Sequence, residues 1–368
     1  MTVQLNRMFV DPEIRKAALE TIESGHYVKG PRASEFESEF ARTIGDVHAV
    51  SCSSGSTALM LAFKALDMGR GDEVIVPSHT FVATINGFWH YGARPKFVDI
   101  DPETYTMDPE KVRKAVTKRT AAIVPVHIYG HPADMAPILE LGEELDIPVI
   151  GDAAQSHGAK YRGVDIGKLG DMTCYSFFPS KIITVAGEGG MITCKDEELC
   201  ELLQALKDHG RYPSDPDSKY MSSIAGFNMR LPELLAAIGN VQLKHMEEWI
   251  GRRRELAAIY NKELEGVGDL VLPVEKEWAR HVYYLYVVRT AASRREALME
   301  HLKKDGISTG IHYPIPVHRM PYIKKAPRLP VTERIVDEIL SLPMHPLMTE
   351  EEQGEVIASV KAFFKQKR

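Results

Sequence analysis

Cysteine is scarce in this 368-residue chain. Cys52, Cys174, Cys194 and Cys200 are the whole complement, with no CxxC pair and no zinc-like spacing. The pattern points to reduced thiols in a cytosol and offers no metal site. No apolar run approaches the roughly 20 residues of a membrane span. The opening residues, MTVQLNRMFVDPEIRK, lack the apolar core of a signal peptide, so a cytoplasmic protein without a membrane partner is expected. Basic charge is not in excess: 45 Lys and Arg face 51 Asp and Glu, a formal net charge of −6, which speaks against nonspecific nucleic-acid binding. Low-complexity tracts and internal repeats are absent.

Several chemical signatures are missing as well. No GxxxxGK[ST] run marks a P-loop, and the spaced glycines of GEGG follow Lys181 between two strands rather than opening the first helix of a βαβ unit, as a dinucleotide site requires. The residue three before Lys181 is Phe178, so the Ser-x-x-Lys of a serine hydrolase fails.

What is present is ordinary globular composition, 44% hydrophobic and 26% charged, in a length that suggests two domains. From about residue 44 to 195, β-branched runs (VHAVSCSSG, DEVIVPS, RPKFVDID, AAIVPVHIYG, IPVIGDAA) alternate with helical stretches. That order implies βαβ units and a mainly parallel sheet buried on both faces. TCYSFFP and GGMITCK read as a hairpin-like pair of strands around Lys181. A long helical region from Leu231 to about Glu265 leads into an α+β C-terminal part. There HVYYLYVVRT is a strand, Ser293 and Glu296 form a capping box for REALMEHLKK, and GISTGIHYPIP is a strand entering a proline-rich loop. The division expected is a large α/β domain, 1–248, and a small α+β domain, 249–368.

Ligands gather at the carboxyl ends of parallel strands, and three places there carry chemistry. Gly55-Ser56-Thr57 follows a strand and opens an apolar helix, which suits an anion on free backbone N–H groups or a plain serine-rich cap. Asp152 ends a strand apolar enough to be central; it either meets a cationic group or caps AQSHGA. Lys181 lies in SFFPSKIITVAGEGG with only Glu188 nearby to answer its charge. A lysine there either snorkels to solvent or is a neutral-amine nucleophile tied up as an imine. Together the three suit pyridoxal phosphate: phosphate on the helix start, an acid under the pyridine nitrogen, a lysine on the aldehyde, with Phe81 able to stack on the ring.

With those pieces in place the chain resembles the DegT/DnrJ/EryC1/StrS aminotransferases. The matching segments are GPRASEFESEFA, SSGSTALMLAF, GDEVIVPSHTFVATIN, PKFVDID, VHIYGHPADM, GDAAQSHGAKY, SFFPSKIITVAGEGGM, GFNMRLPELLAAIGNVQL and IHYPIPVH, spread from about residue 30 to 345. The resemblance implies fold type I, that of aspartate aminotransferase, and a homodimer with shared active sites. It implies Lys181 as the imine lysine and Asp152 as partner of the pyridine nitrogen. Gln155 would bond the phenolic oxygen, and Phe81 would stack on the ring. Gly55, Ser56, Thr57 and Ser176 would form the phosphate cradle, with Asn228 reaching the phosphate from the neighbouring subunit. Ile182 stands where many relatives carry Asn.

The activity implied is a ping-pong transfer of an amino group from an amino acid, L-glutamate by resemblance, to a nucleotide-linked ketosugar in amino-sugar biosynthesis. Lys181 would shuttle the proton. Lys29, Arg32, Arg230, His312, His318 and Arg319 are the candidates to line the path of the acceptor's diphosphate. The segment between Lys181 and Gly189 has the length seen in several 3-aminating relatives. The alternatives are a dehydratase using the same cofactor, an amino-cyclitol aminotransferase, and a non-catalytic cofactor-binding regulator. The lysine at 181 argues against the dehydratase branch, where histidine replaces it.

Overall fold

The β-branched runs of the first half become strands buried on both faces. A computed structural model describes residues 2–365 apart from 46, 216, 218 and 219. Its strands are β1 (His48–Cys52), β2 (Glu73–Pro77), β3 (Arg94–Val98), β4 (Thr120–Ile123), β5 (Ile150–Asp152), β6 (Lys160–Tyr161), β7 (Val164–Asp165), β8 (Met172–Ser176), β9 (Gly190–Cys194), β10 (Ala279–Arg280), β11 (Tyr286–Arg289) and β12 (Ile339–Leu342). One group of strands runs β1-β9-β8-β5 and another β3-β2-β4. Parallel bridges Ile123↔Val149 and Val126↔Asp152 join them edge to edge. In this continuous sheet β9 alone runs antiparallel to its neighbours, because it returns directly from β8 through the Lys181 loop. Alternation assigns the faces: Tyr175 and Met191 enter one core cluster, while Cys174 and Ile192 enter the other.

Helices on both sides supply the rest of each core. Phe36 and Phe40 of the helix Pro31–Ile44 meet Tyr175 and Phe177 on one side. Leu59, Leu61 and Phe63 of the helix Gly55–Ala65 pack on the other. This is the mixed α/β architecture of fold type I. A separate cluster gathers Tyr286 and Val288 of β11, Leu340 and Leu342 of β12, and the helices Ala292–Lys304 and Glu350–Lys365. The helix Met246–Leu264 serves both: Trp249 and Ile250 join the sheet-side core, and Leu256, Tyr260 and Leu264 the C-terminal one. We propose the division at 248/249, near the start of this shared helix, whose neighbours change between Ile250 and Leu256. No helix among the described residues is long and apolar enough to cross a membrane.

Several local expectations are corrected. The long helical region from Leu231 is two helices, Glu233–Lys244 and Met246–Leu264, that meet at His245, whose ring stacks 5.3 Å from Trp249. Ser293 and Glu296 form no capping box. The Asp269 carboxylate instead takes the Thr290 hydroxyl (2.8 Å) and the Ala291 amide (3.1 Å), so the helix begins at Ala292. GISTGIHYPIP is not a strand; it touches its neighbours through bridges Val3↔Ile307 and Gly310↔Ser341. HVYYLYVVRT is a strand only over Tyr286–Arg289, because Val282 donates to the Gly130 carbonyl (3.0 Å) and holds the first half as a loop.

Candidate active site

Residues just past the carboxyl ends of β1, β2, β4, β5 and β8 converge on a cavity of about 350 Å³. Its wall includes Ser54, Gly55 and Ser56, Phe81, His127, Asp152 and Gln155, Ser176 and Lys181, and, from the C-terminal part, Tyr284, His312 and Tyr313. Placement at strand ends follows from the parallel topology.

The turn after β1 is built to leave backbone donors free. Ser54 Oγ accepts from the Thr57 amide (3.1 Å), and Thr57 Oγ1 accepts from the Ser54 amide (2.8 Å). This capping box consumes the Thr57 hydroxyl, and Thr57 does not line the cavity. Gly55 permits the approach of β8: a Cβ there would stand 2.6 Å from Ser176 Cβ. Gly190 does the same from β9, where a Cβ would fall 2.2 Å from the Ser54 carbonyl oxygen. Gly189 and Gly190 of GEGG therefore serve close packing.

Asp152 is buried and accepts from Thr84 Oγ1 (2.7 Å) and the Ala154 amide (3.1 Å). Burial pushes its carboxyl above the ordinary value, opposed by those hydrogen bonds and by the Lys181 charge. No cationic side chain among the described residues forms an ion pair with it. Gln155 is oriented by Tyr129, whose amide donates to Oε1 (2.7 Å); the amide nitrogen then donates to the Tyr313 hydroxyl (2.9 Å) and faces the cavity. Phe81 is half exposed on the cavity wall, its ring 5.5 Å from that of Tyr313. His127 accepts the Ala133 amide at Nδ1 (3.0 Å), which places its proton on Nε2, a buried donor without a partner among the described residues.

Lys181 sits in the loop from β8 to β9. Its amide donates to Phe178 (2.9 Å), and Asn6 Nδ2 holds the neighbouring Ser180 carbonyl (3.0 Å). The side chain is half-buried, with Nζ 5.0 Å from the centre of the Tyr284 ring. Burial first, and the Lys181 charge second, hold His157 down at about 3 and His312 below its ordinary value, so both imidazoles beside the lysine are neutral.

The other candidates scatter. His312 lines the cavity, with Nδ1 2.8 Å from Ser341 Oγ. Lys29 and Arg230 both grip Asp208, joined by Arg211 (2.7 Å). The Arg230 segment is tied to the turn after β1 through the Ser53 amide, which donates to the Met229 carbonyl (2.9 Å). Arg32 pairs with Glu20 and Glu35 and lies outside the cavity. His318 and Arg319 also lie outside it: His318 is buried between Ser78 Oγ (2.6 Å) and Glu333 (3.3 Å), and Arg319 pairs with Glu333 (3.0 Å). Asn228 is exposed, away from this chain's own cavity. Residue-level reading missed Thr84, Tyr129, His127, Tyr284 and Tyr313. Thr84 was within reach, one helical turn past Phe81; the others needed the tertiary structure.

The donor set fits pyridoxal phosphate. A helix start cleared by Gly55 awaits an anion, and a buried carboxyl lacks a cation. A turned amide presents donors, and an amine shares the same cavity. Comparison with known proteins agrees. A sequence model of the DegT/DnrJ/EryC1/StrS aminotransferase family matches residues 9–361. The chain is 40% identical to a "Pleiotropic regulatory protein" of Geobacillus stearothermophilus over 96% of this chain and 95% of that one. It is 41% identical to the dTDP-3-amino-3,4,6-trideoxy-alpha-D-glucose transaminase of Streptomyces venezuelae, over 95% and 91%. A crystal structure of S. venezuelae DesV in complex with a ketimine intermediate superposes with a TM-score of 0.92 at 40% identity, over 97% of this chain and 95% of that one.

Proposed function

We propose a nucleotide-linked 3-ketosugar as the amino acceptor of this chain, which belongs to the DegT/DnrJ/EryC1/StrS aminotransferase family and is an aminotransferase dependent on pyridoxal phosphate. The observation that carries the reading is the meeting of Lys181, Asp152 and Gln155 in one cavity beside the Gly55 turn. The ketone position rests on the 3-amino product named for the Streptomyces relative and on the length of the Lys181–Gly189 segment.

When bound, the cofactor supplies an electron-accepting ring and a carbon that carries the amino group between two half-reactions. The chain does the rest. Backbone N–H groups of the Gly55 turn, with the Ser56 and Ser176 hydroxyls, hold the phosphate. Asp152, kept dry and aimed by Thr84, holds a proton on the ring nitrogen. Gln155 donates to the phenolic oxygen, and Phe81 covers one ring face. Lys181, once free, would take the proton from the α-carbon of L-glutamate and return it two atoms away, across the nitrogen, on the carbon that carries the amino group. The second substrate then reverses these moves in a ping-pong cycle. Two copies complete each site, Asn228 of one chain reaching the phosphate held by the other. Lys29, Arg211 and Arg230, three cations on the single Asp208 carboxylate, receive the diphosphate, and His312 meets the sugar. The four free cysteines support a cytoplasmic location.

The test is to bleach the yellow protein with L-glutamate, assay 2-oxoglutarate, and then offer dTDP- and UDP-linked 3-keto and 4-keto sugars. Return of colour with a 3-ketosugar is expected, and its absence with Lys181→Ala. Recovery only with 4-ketosugars would move the ketone, and recovery with none would remove the sugar.

A further inference from the structure

Tyr284 is a residue that neither the strand-end rule nor the resemblance singled out, yet it touches the reacting nitrogen. Lys181 Nζ lies 5.0 Å from the centre of its ring, inside the range in which a ring face attracts an ammonium group. The ring is fixed from two sides. Its hydroxyl is 3.1 Å from Ser180 Oγ, next to the lysine in the chain. Its carbonyl accepts from Arg253 Nη1 (3.0 Å), and the same nitrogen holds the carbonyls of Tyr283 (3.3 Å) and Met344 (2.9 Å). Arg253 is fully buried, so this clamp does not drift with solvent.

Resting on the proposed function, we propose that the face of Tyr284 cradles the charged form of Lys181, holding the lysine where it carries the proton after an incoming amine has displaced it. The lysine has little else for that task. Its charge is felt by the buried Asp152 and by the neutral His157 and His312, and Tyr313 lines the same cavity. Glu188 also lines the cavity, and Arg7 and Arg253 line a second, smaller pocket that Lys181 shares. The carboxylate of Asp152 is reserved for the ring nitrogen. A quadrupole supplies attraction without a second negative charge that would compete for that position.

The experiment needs no substrate, so its failure is separable from failure of the sugar assignment. In the cofactor-free full-length chain, the pH dependence of Lys181 acylation by acetic anhydride is read by peptide mass spectrometry against an internal free amine. Tyr284→Leu should lower the midpoint of Lys181 by about half a pH unit or more, making it acylate faster near neutrality. Tyr284→Phe, which keeps the ring face and loses the hydroxyl, should titrate with the unaltered protein and reports on the ring if the leucine variant folds poorly. An unchanged midpoint in Tyr284→Leu would overturn the proposal. So would a fall in Tyr284→Phe, which would assign the effect to the bond with Ser180.

Discussion

The Tyr129 backbone decides which face Gln155 turns to the cavity. Its N–H occupies Oε1 at 2.7 Å, which leaves the amide nitrogen as the group presented inward. Tyr129 holds this position with φ of 59°, in the left-handed region, while its hydroxyl donates to the His312 carbonyl and lies 2.5 Å from His79 Nε2. One residue thus links the orientation of Gln155 to the segment that carries His312 and Tyr313.

Gln155→Glu tests that orientation. The new carboxylate keeps one oxygen on the Tyr129 amide and turns the other, an acceptor, toward the cavity. A donor to the phenolic oxygen is replaced by like charge. Affinity for pyridoxal phosphate, titrated by absorbance, should fall about tenfold or more. Unchanged affinity would mean that Gln155 does not face the ring oxygen.

Gly55→Ala tests the phosphate turn. The added Cβ meets Ser176 Cβ at 2.6 Å and its Cα at 3.2 Å, so β8 or the turn must move. Overpacking of this kind costs about 1–3 kcal/mol, and the phosphate contacts should weaken with it. Adding Ser176→Gly removes the nearer contact and should restore part of the stability, measured by urea unfolding. Equal stability in Gly55→Ala and the unaltered protein would show that the turn has room.

Much of this site was legible before any coordinates. Asp152 ends, and Gly55 follows, runs that read as strands, and Lys181 stands out because its neighbours are apolar. What stayed hidden depends on contacts between distant parts of the chain. The Gln155–Tyr313 bond spans 158 residues, and nothing near Tyr313 announces it. His318 misled for the same reason: it stands near His312 in sequence, but a short 3₁₀ turn over Val317–Arg319 buries it against Ser78. The Ser293–Glu296 pattern likewise lost to Asp269, a distant carboxylate that local spacing does not reveal.

Asp152 gives a pH signature. In the cofactor-free chain burial raises its carboxyl above the ordinary 3.8, while the unfolded chain releases that proton at the ordinary value. Between the two the folded state binds more protons. Its contribution is therefore fully present below the ordinary value and is lost as pH rises through the raised one. Thermal stability of the cofactor-free Asp152→Asn variant should fall less steeply than wild type across that window. Thr84→Val, which removes the 2.7 Å bond, should move the window upward. Parallel curves for all three proteins would refute the assignment.

The Asp208 cluster makes the last prediction. Burial would raise this carboxyl, but hydrogen bonds from Lys29, Arg211 and Arg230 prevail and hold it down at about 2. It is ionised throughout the working pH range, so three cations stand against one carboxylate at any pH above about 4. A site of fixed excess positive charge binds a diphosphate in a salt-dependent, pH-independent way. Arg211→Ala should raise the acceptor KM about tenfold, the worth of one charge-assisted contact, and leave the glutamate half-reaction unchanged. Stopped-flow bleaching by glutamate and steady-state kinetics with the nucleotide sugar separate the two halves. If both slow together, Arg211 supports the fold of the segment around Asp208 and does not receive the acceptor's phosphates.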